Sequence, residues 1–370
     1  MGEAFIGGLR DRTEIDLCHL LWRQTLTYTG PNLLYECQVM LPQTLESHSA
    51  MSHSSGRRRW LAGGLALGLA PLLPACSKPV PVMRVGSIVF PGYELMFMAR
   101  ERGLLDSRKV RLIEMLANTD TLRALAAGQL EGAALTLDEM MSARAEGVDM
   151  RVVMVIDISQ GADVVMARRG VTLDNLGGKR IAVEEGAMGA VMLSSLLRAA
   201  QLRVDEVKKV TMTLDNSLKV FSTGKVDAIV TAEPWATKLE AQGAQRIYDS
   251  SRIPGRITDV LAVRADVLET QAEAIRALVN AHFEARHFFQ AQPAKAASYM
   301  AARMQIPADE VPASMRGLQL PDAAENRRLL EEGGNFHRTA LELQRVMFEA
   351  GLLPKLSEPG ELVDIRYLPA

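Results

Sequence analysis

Residues 83–136 read MRVGSIVFPGYELMFMARERGLLDSRKVRLIEMLANTDTLRALAAGQLEGAALT. Apolar runs alternate here with amphipathic ones, and glycines mark the joints. Met83–Val89 predicts a strand, and Tyr93–Gly103 predicts a helix that stops on its own glycine. Val110–Met115 predicts a second strand, Asp120–Ala127 a helix halted by Gly128, and Gly132–Thr136 a third strand. A β-α-β-α-β order of this kind predicts an α/β domain with a mostly parallel sheet.

The rhythm continues outward. Asp138–Glu146 predicts a helix closed by Gly147, and Met150–Ile156 and Asp163–Ala167 predict strands. A second set follows: strands at Lys179–Val183, Val207–Met212 and Val226–Val230, alternating with helices at Met188–Ala200, Ser217–Thr223 and from Pro234 onward. Arg246–Tyr248 and Val260–Arg264 are further expected strands. From Asp266 the pattern is helical, in five segments from Thr270 to Ala350, and no strand is expected there.

Upstream, Arg57–Cys76 reads RRRWLAGGLALGLAPLLPAC. Three arginines, a short apolar run and a small residue before a cysteine have the order of a secretory signal. The run is too short to span a bilayer, which takes about 20 apolar residues. Residues 51–75 are therefore expected to be a lipoprotein signal peptide. They resemble a lipobox that would leave Cys76 acylated and the protein anchored to a membrane in the periplasm. Residues 1–50 are expected to be a mis-called start upstream of Met51, or a disordered extension, and are set aside from the fold. Residues 76–81, with Pro79 and Pro81, are expected to form an extended linker.

Composition narrows the function. The chain has 42 Lys and Arg against 44 Asp and Glu, so no basic field points to nucleic acid. No cysteine follows Cys76, which removes disulfides, thiolate catalysis and cysteine metal sites from the remainder. His282, His287 and His337 lie in helical sequence without metal-ligand spacing. Neither a cofactor nor a metal is expected.

Ligands of open α/β sheets sit beyond the carboxyl ends of strands, so the loops there carry the candidates. Phe90-Pro91-Gly92-Tyr93-Glu94 is a turn whose aromatics either stack on a planar ligand or belong to the core. Thr136-Leu137-Asp138-Glu139 reads as a helix cap whose threonine could also face a ligand. A polar run from Asp157 to Asp163 lies where a chain would cross between lobes. Glu184-Glu185-Gly186-Ala187 brings backbone close to a ligand at a helix start, without a dinucleotide or phosphate-loop fingerprint. Glu233-Pro234-Trp235 offers a ligand wall or a packed hinge.

Several of these pieces together resemble the periplasmic substrate-binding proteins of ABC importers, in the branch that binds nitrate, taurine, aliphatic sulfonates and thiamine precursors. They are Gly92-Tyr93, Met98–Leu105, Asp120–Ala133, Leu173–Val183, Gly224–Ala228 and Glu233-Pro234-Trp235. The resemblance implies a type II-like α/β fold: two α/β lobes, a cleft, two crossovers and a helical C-terminal part. Lobe 1 would comprise 82–162 with 263–350, lobe 2 would comprise 163–262, and 351–370 would be a tail. Crossovers are expected near Ser159–Ala167 and Thr258–Arg264.

The ligand would touch Tyr93, Glu94, Thr136, Asp138, Asp163, Glu185, Gly186, Ala187, Glu233, Trp235 and Asp259. A small-molecule ligand, an ABC permease with its ATPase, and a membrane reached through Cys76 are the implied partners of a monomer without catalysis. One departure stands out. Where anion binders of this branch tend to carry hydroxyl residues, this chain has Glu185-Gly186-Ala187, and acids recur in the other loops. A cationic or amine-bearing ligand, such as an aminopyrimidine-like ring, suits that better than a sulfonate. A membrane-linked sensor would look the same in sequence. A pyrimidine-synthase-like enzyme would need a cysteine-rich motif that is absent after Cys76.

Overall fold

A computed structural model describes residues 80–349, 351–356 and 361–369, all within one unit, Ala75–Ala370. The expected signal segment and Cys76 lie outside the described residues. Chain order is β1 (Met83–Ser87), α1 (Glu94–Glu101), β2 (Val110–Glu114), α2 (Asn118–Ala126), β3 (Gly132–Thr136), α3 (Leu137–Ala145) and β4 (Met150–Ser159). A second run follows: β5 (Asp163–Ala167), β6 (Arg180–Glu184), α4 (Ala187–Ala199), β7 (Lys208–Met212), α5 (Ser217–Ser222), β8 (Ala228–Ala232), α6 (Trp235–Ala241) and β9 (Gln245–Asp249). The chain then continues through β10 (Thr258–Arg264), α7 (Ala272–Ala291), α8 (Pro293–Met304), α9 (Val311–Ser314), β11 (Leu318–Gln319), α10 (Ala323–Leu330) and α11 (Asn335–Glu349).

Two sheets result, ordered β11-β4-β10-β3-β1-β2 and β7-β6-β8-β5-β9. Each is mixed, not mostly parallel. The β1–β2, β1–β3, β6–β7 and β6–β8 pairs are parallel, while β10 and β5 run antiparallel to both of their neighbours. The cause is the crossing chain. It leaves the first sheet through Gln160–Ala162 at the end of β4, and each strand that completes a crossing enters its sheet reversed. All of β10 pairs in the first sheet, so the return is complete by Thr258, earlier than the boundary at 262 that the sequence led us to expect.

The crossing is pinned by short contacts. Ser159 and Ser250 share a hydroxyl hydrogen bond of 2.8 Å, and the Gly161 amide donates to Ser250 Oγ at 2.6 Å. Gly317 lies against this point with φ +86°, and a Cβ there would come within 2.8 Å of the Gly161 carbonyl carbon, so only glycine fits.

β4 is buried along both faces, and its outer edge needs partners for each backbone group. Three separate segments supply them. Leu362 O and the Asp364 amide pair with Val152, each at 2.9 Å. Asn326, fully buried, accepts from the Val155 amide at 2.7 Å and donates to the Val155 carbonyl at 3.1 Å. The two-residue β11, unanticipated in a region that reads as all helical, covers Ile158 and Ser159. The residues after 360 are therefore docked onto the first sheet, and Tyr367 is buried with its hydroxyl donating to Leu268 O at 2.9 Å. Asn326→Ala removes both partners of Val155 and is expected to cost about 2–4 kcal/mol. Urea denaturation checks this, and an unchanged midpoint would mean that water replaces the amide.

Candidate functional site

The site is built by register. Across three adjacent strands, Asp259 of β10 lies opposite Thr136 of β3 on one side and Asp157 of β4 on the other. Thr136 and Asp157 both fall toward the carboxyl ends of their strands, so this row forms the floor where the first sheet faces the second. Tyr93, at the end of the turn after β1, is fully buried and donates its hydroxyl to Asp259 Oδ1 at 2.6 Å. Phe90 packs on its ring with centroids 5.1 Å apart. The backbone of Gly92 lies directly on the Asp157 carboxyl. A Cβ on Gly92 would overlap it, with Asp157 Cγ only 2.8 Å away.

More acids close around the row. Asp138 and Glu139 open α3, both buried. Glu139 Oε2 accepts from the Thr136 amide at 3.1 Å, and Oε1 accepts from Asn118 Nδ2 at 2.8 Å. Asp163, buried at the start of β5, has Oδ2 without a hydrogen-bond partner. Glu184, at the end of β6, accepts from the Leu214 amide at 3.0 Å and faces the Asn118 and Thr119 amides across from the other sheet. Among the described residues none of these six carboxyls (Asp138, Glu139, Asp157, Asp163, Glu184 and Asp259) forms an ion pair.

Burial therefore acts on them almost unopposed and favours their neutral forms. It lifts Asp138 to about 7, with neighbouring Thr136 acting the other way. It lifts Asp157 to about 7 and Asp163 to about 6. Glu139 and Asp259 are pushed well above the usual carboxylate range, first by burial and then by the neighbouring aspartates Asp138 and Asp157 respectively. Asp157 and Asp259 face each other across the β4–β10 pair, and the Asp157 charge helps to hold Asp259 in its neutral form.

These shifts set the sign of a pH dependence. A folded-state value above the unfolded one, about 4 for Asp, gives stability that is present at low pH and is lost as pH rises through the folded value. Asp138, Asp157 and Asp163 all act this way. Buried His282, lowered to about 3 by desolvation, acts oppositely, but only below its unfolded value near 6.5. Between pH 6.5 and 8 only the acids remain, so the ligand-free protein is expected to melt at a lower temperature at pH 8. A flat calorimetric profile over that window would refute the assignment.

The remaining candidates are distributed differently. Glu94 is buried but engaged by Arg303, which also donates to the Ser87 and Ile88 carbonyls. Burial still lifts Glu94 to about 8. Glu233 is buried and saturated by Thr237 and by Arg246 at 3.3 Å. Trp235 is half-buried against the first sheet's core, and Lys238 Nζ sits 4.6 Å from its ring centroid while donating to Met304 O at 3.2 Å. Glu185 is largely exposed and binds Thr211 Oγ1 at 2.8 Å. The buried acid of that pair is Glu184. Gly186 is the extended N-cap of α4, and Ala187 is buried beside it.

A cavity of about 990 Å³ opens on the seam between the sheets, lined by Thr119, Glu146, Glu184, Glu185, Gly186, Ala187 and their neighbours. Three cations line its wall: Arg123, paired with Asp120 at 3.1 Å, Lys209, paired with Glu185 at 3.7 Å, and Arg198, which has no ion pair among the described residues. Behind it, Ala187, Val191, Leu214 and Ala232 pack into the first sheet's core cluster. The lobes are thus drawn together over the acids. Among the described residues, no three His, Cys, Asp or Glu side chains are arranged to hold a metal ion, and no helix is long and apolar enough to cross a membrane.

Comparison with known proteins places this arrangement. A family model described as the NMT1-like family matches residues 77–305. A protein of Escherichia coli (strain K12) described as binding aliphatic sulfonates is 22% identical over 255 residues, 66% of this chain and 80% of its own. The alkanesulfonate-binding protein SsuA from Xanthomonas axonopodis pv. citri, solved with MOPS, superposes with a TM-score of 0.66 at 18% identity, covering 78% of this chain and 99% of that one. The periplasmic nitrate-binding protein NrtA from Synechocystis PCC 6803 gives a TM-score of 0.60 at 12% identity, covering 76% and 84%. At these identities the solved structures establish the fold, that of periplasmic binding proteins with two α/β lobes.

Proposed function

The chain belongs to the NMT1-like family, and from that footing we propose that it is an extracytoplasmic solute-binding protein of an ABC importer. It closes two lobes over a small cationic or amine-bearing solute, hands that solute to a permease, and stays near the membrane through a lipid on Cys76. No catalytic step is assigned.

One observation carries the choice of ligand: six carboxyls lie buried near one another between the sheets, and among the described residues none of them is in an ion pair. Buried charges are costly unless paired, so the ligand-free site holds protons in place of a partner. An ammonium or protonated ring arriving there replaces those protons and turns repulsive neighbours into ligands. A sulfonate or nitrate, as named for the relatives, would find no cation paired with the floor among the described residues, although Arg123, Arg198 and Lys209 line the adjoining cavity. Tyr93 and the row of Thr136, Asp259 and Asp157 would orient the solute from lobe 1. Asp163, Glu184 and the Gly186–Ala187 backbone would meet it from lobe 2 as the lobes close.

Small molecules released by denaturing freshly purified protein, identified by mass spectrometry, test the reading. Stoichiometric release of an amine or cationic heterocycle is expected, and stoichiometric release of a sulfonate or nitrate would overturn it. Trp235, the sole tryptophan after Cys76, packs at the interface of the lobes and is expected to report closure by fluorescence.

A further inference from the structure

A second pocket carries charge of the opposite sign. It has a volume of about 520 Å³ and lies between α4, the segment after β9, and α11. Arg198, Arg252 and Arg256 line it, and all three bear electrostatically on the hydroxyl of buried Tyr248. Arg252 lies 5.7 Å from the Tyr248 ring centroid. Among the described residues none of the three makes an ion pair or a side-chain hydrogen bond, although most arginines elsewhere in the fold do. Hydroxyls of Ser194, Ser195 and Thr339 line the same walls, and Glu342 is the one acid among the lining residues.

Three guanidinium groups gathered without an acid partner repel one another, and the arrangement is relieved by an anion that accepts from several at once. Planar N–H forks with nearby hydroxyl donors match a tetrahedral oxyanion. We propose that this pocket is a phosphate-binding site, filled by free phosphate, a small phosphomonoester, or the phosphate of an anionic lipid headgroup. It adjoins the first cavity, sharing Ser194, Arg198 and Leu352 with its wall, but Arg252, Arg256 and Thr339 belong to it alone, and it stands whether or not the solute proposed above is correct.

Isothermal titration of inorganic phosphate and of glycerol 3-phosphate into the full chain, with co-sedimentation on vesicles of phosphatidylglycerol in phosphatidylcholine, tests this. The comparison is with Arg252→Ala/Arg256→Ala and with Glu342→Gln. Saturable phosphate binding that weakens at least about tenfold in the arginine variant, as expected for loss of charge-assisted bonds, identifies the free anion. Arginine-dependent sedimentation with phosphatidylglycerol, without phosphate heat, identifies the headgroup. Glu342→Gln is expected to tighten either interaction, because it removes the one acid among the lining residues. No saturable binding to any probe, or binding that the arginine variant leaves unchanged, would overturn the proposal. These arginines are half-buried or exposed, so the variants are expected to melt as the parent does.

Discussion

Gly92→Ala is expected to abolish solute binding and to lower stability by about 1–3 kcal/mol, the usual range for overpacking a filled core. The added methyl would occupy the space of the Asp157 carboxyl. Asp157 cannot simply swing away, because it is fully buried and faces Asp259 across the β4–β10 pair. The effect should be conditional. In an Asp157→Ala background the two closest clashes are gone and the methyl meets the residue 157 Cβ at an ordinary 3.5 Å. The double variant should therefore recover stability relative to Gly92→Ala while still failing to bind a cation. A double-mutant cycle by urea denaturation reads the coupling. Additive losses would show that Gly92 and Asp157 are not in contact as described.

Asp157→Asn combined with Asp163→Asn is the second large effect. If the solute is a cation, replacing two of its carboxylates is expected to weaken binding by at least about 100-fold, in keeping with the cost of removing one partner of a buried charge pair. The wild-type protein should also show proton linkage. The ligand needs ionised carboxylates, whereas the free site holds protons up to about 6 on Asp163 and about 7 on Asp157 and Asp138. Binding should therefore release protons, and affinity should rise with pH through about 7. Calorimetry in buffers of different ionisation enthalpy measures the release. Proton uptake on binding would contradict a cationic ligand.

Local pattern carried most of the architecture. The strand and helix alternation from Met83 to Thr136 appears close to where periodicity puts it, and the resemblance to periplasmic binding proteins of ABC importers agrees with the matched family and the fold neighbours. Pairing direction was harder to read, because a strand's hydropathy does not say which way its neighbour runs. For the same reason β11 is invisible in sequence: two residues become a strand only because β4 has an open edge. The site divides similarly. Tyr93, Thr136, Asp138, Asp163 and Asp259 stand at strand ends and loops, where sequence could mark them. Asp157 was noticed only as part of a polar crossing, since its pairing with Asp259 depends on a register between residues about a hundred positions apart. Glu139 looks like an ordinary capping acid and is one, yet the cap sits inside the cluster. At Glu184-Glu185 the buried strand β6 ends on Glu184, which stays inside, while Glu185 lies beyond it and is largely exposed.

The central claim is that a positively charged solute completes the carboxyl-lined floor between the lobes. Isothermal titration of the full chain at pH 7.5 with size-matched ligands, alkylamines and aminopyrimidines against alkanesulfonates, tests it most directly. The account predicts saturable one-to-one binding of a cationic member, accompanied by proton release and a change in Trp235 fluorescence. Tight binding of a sulfonate, with no heat from any amine, would contradict it.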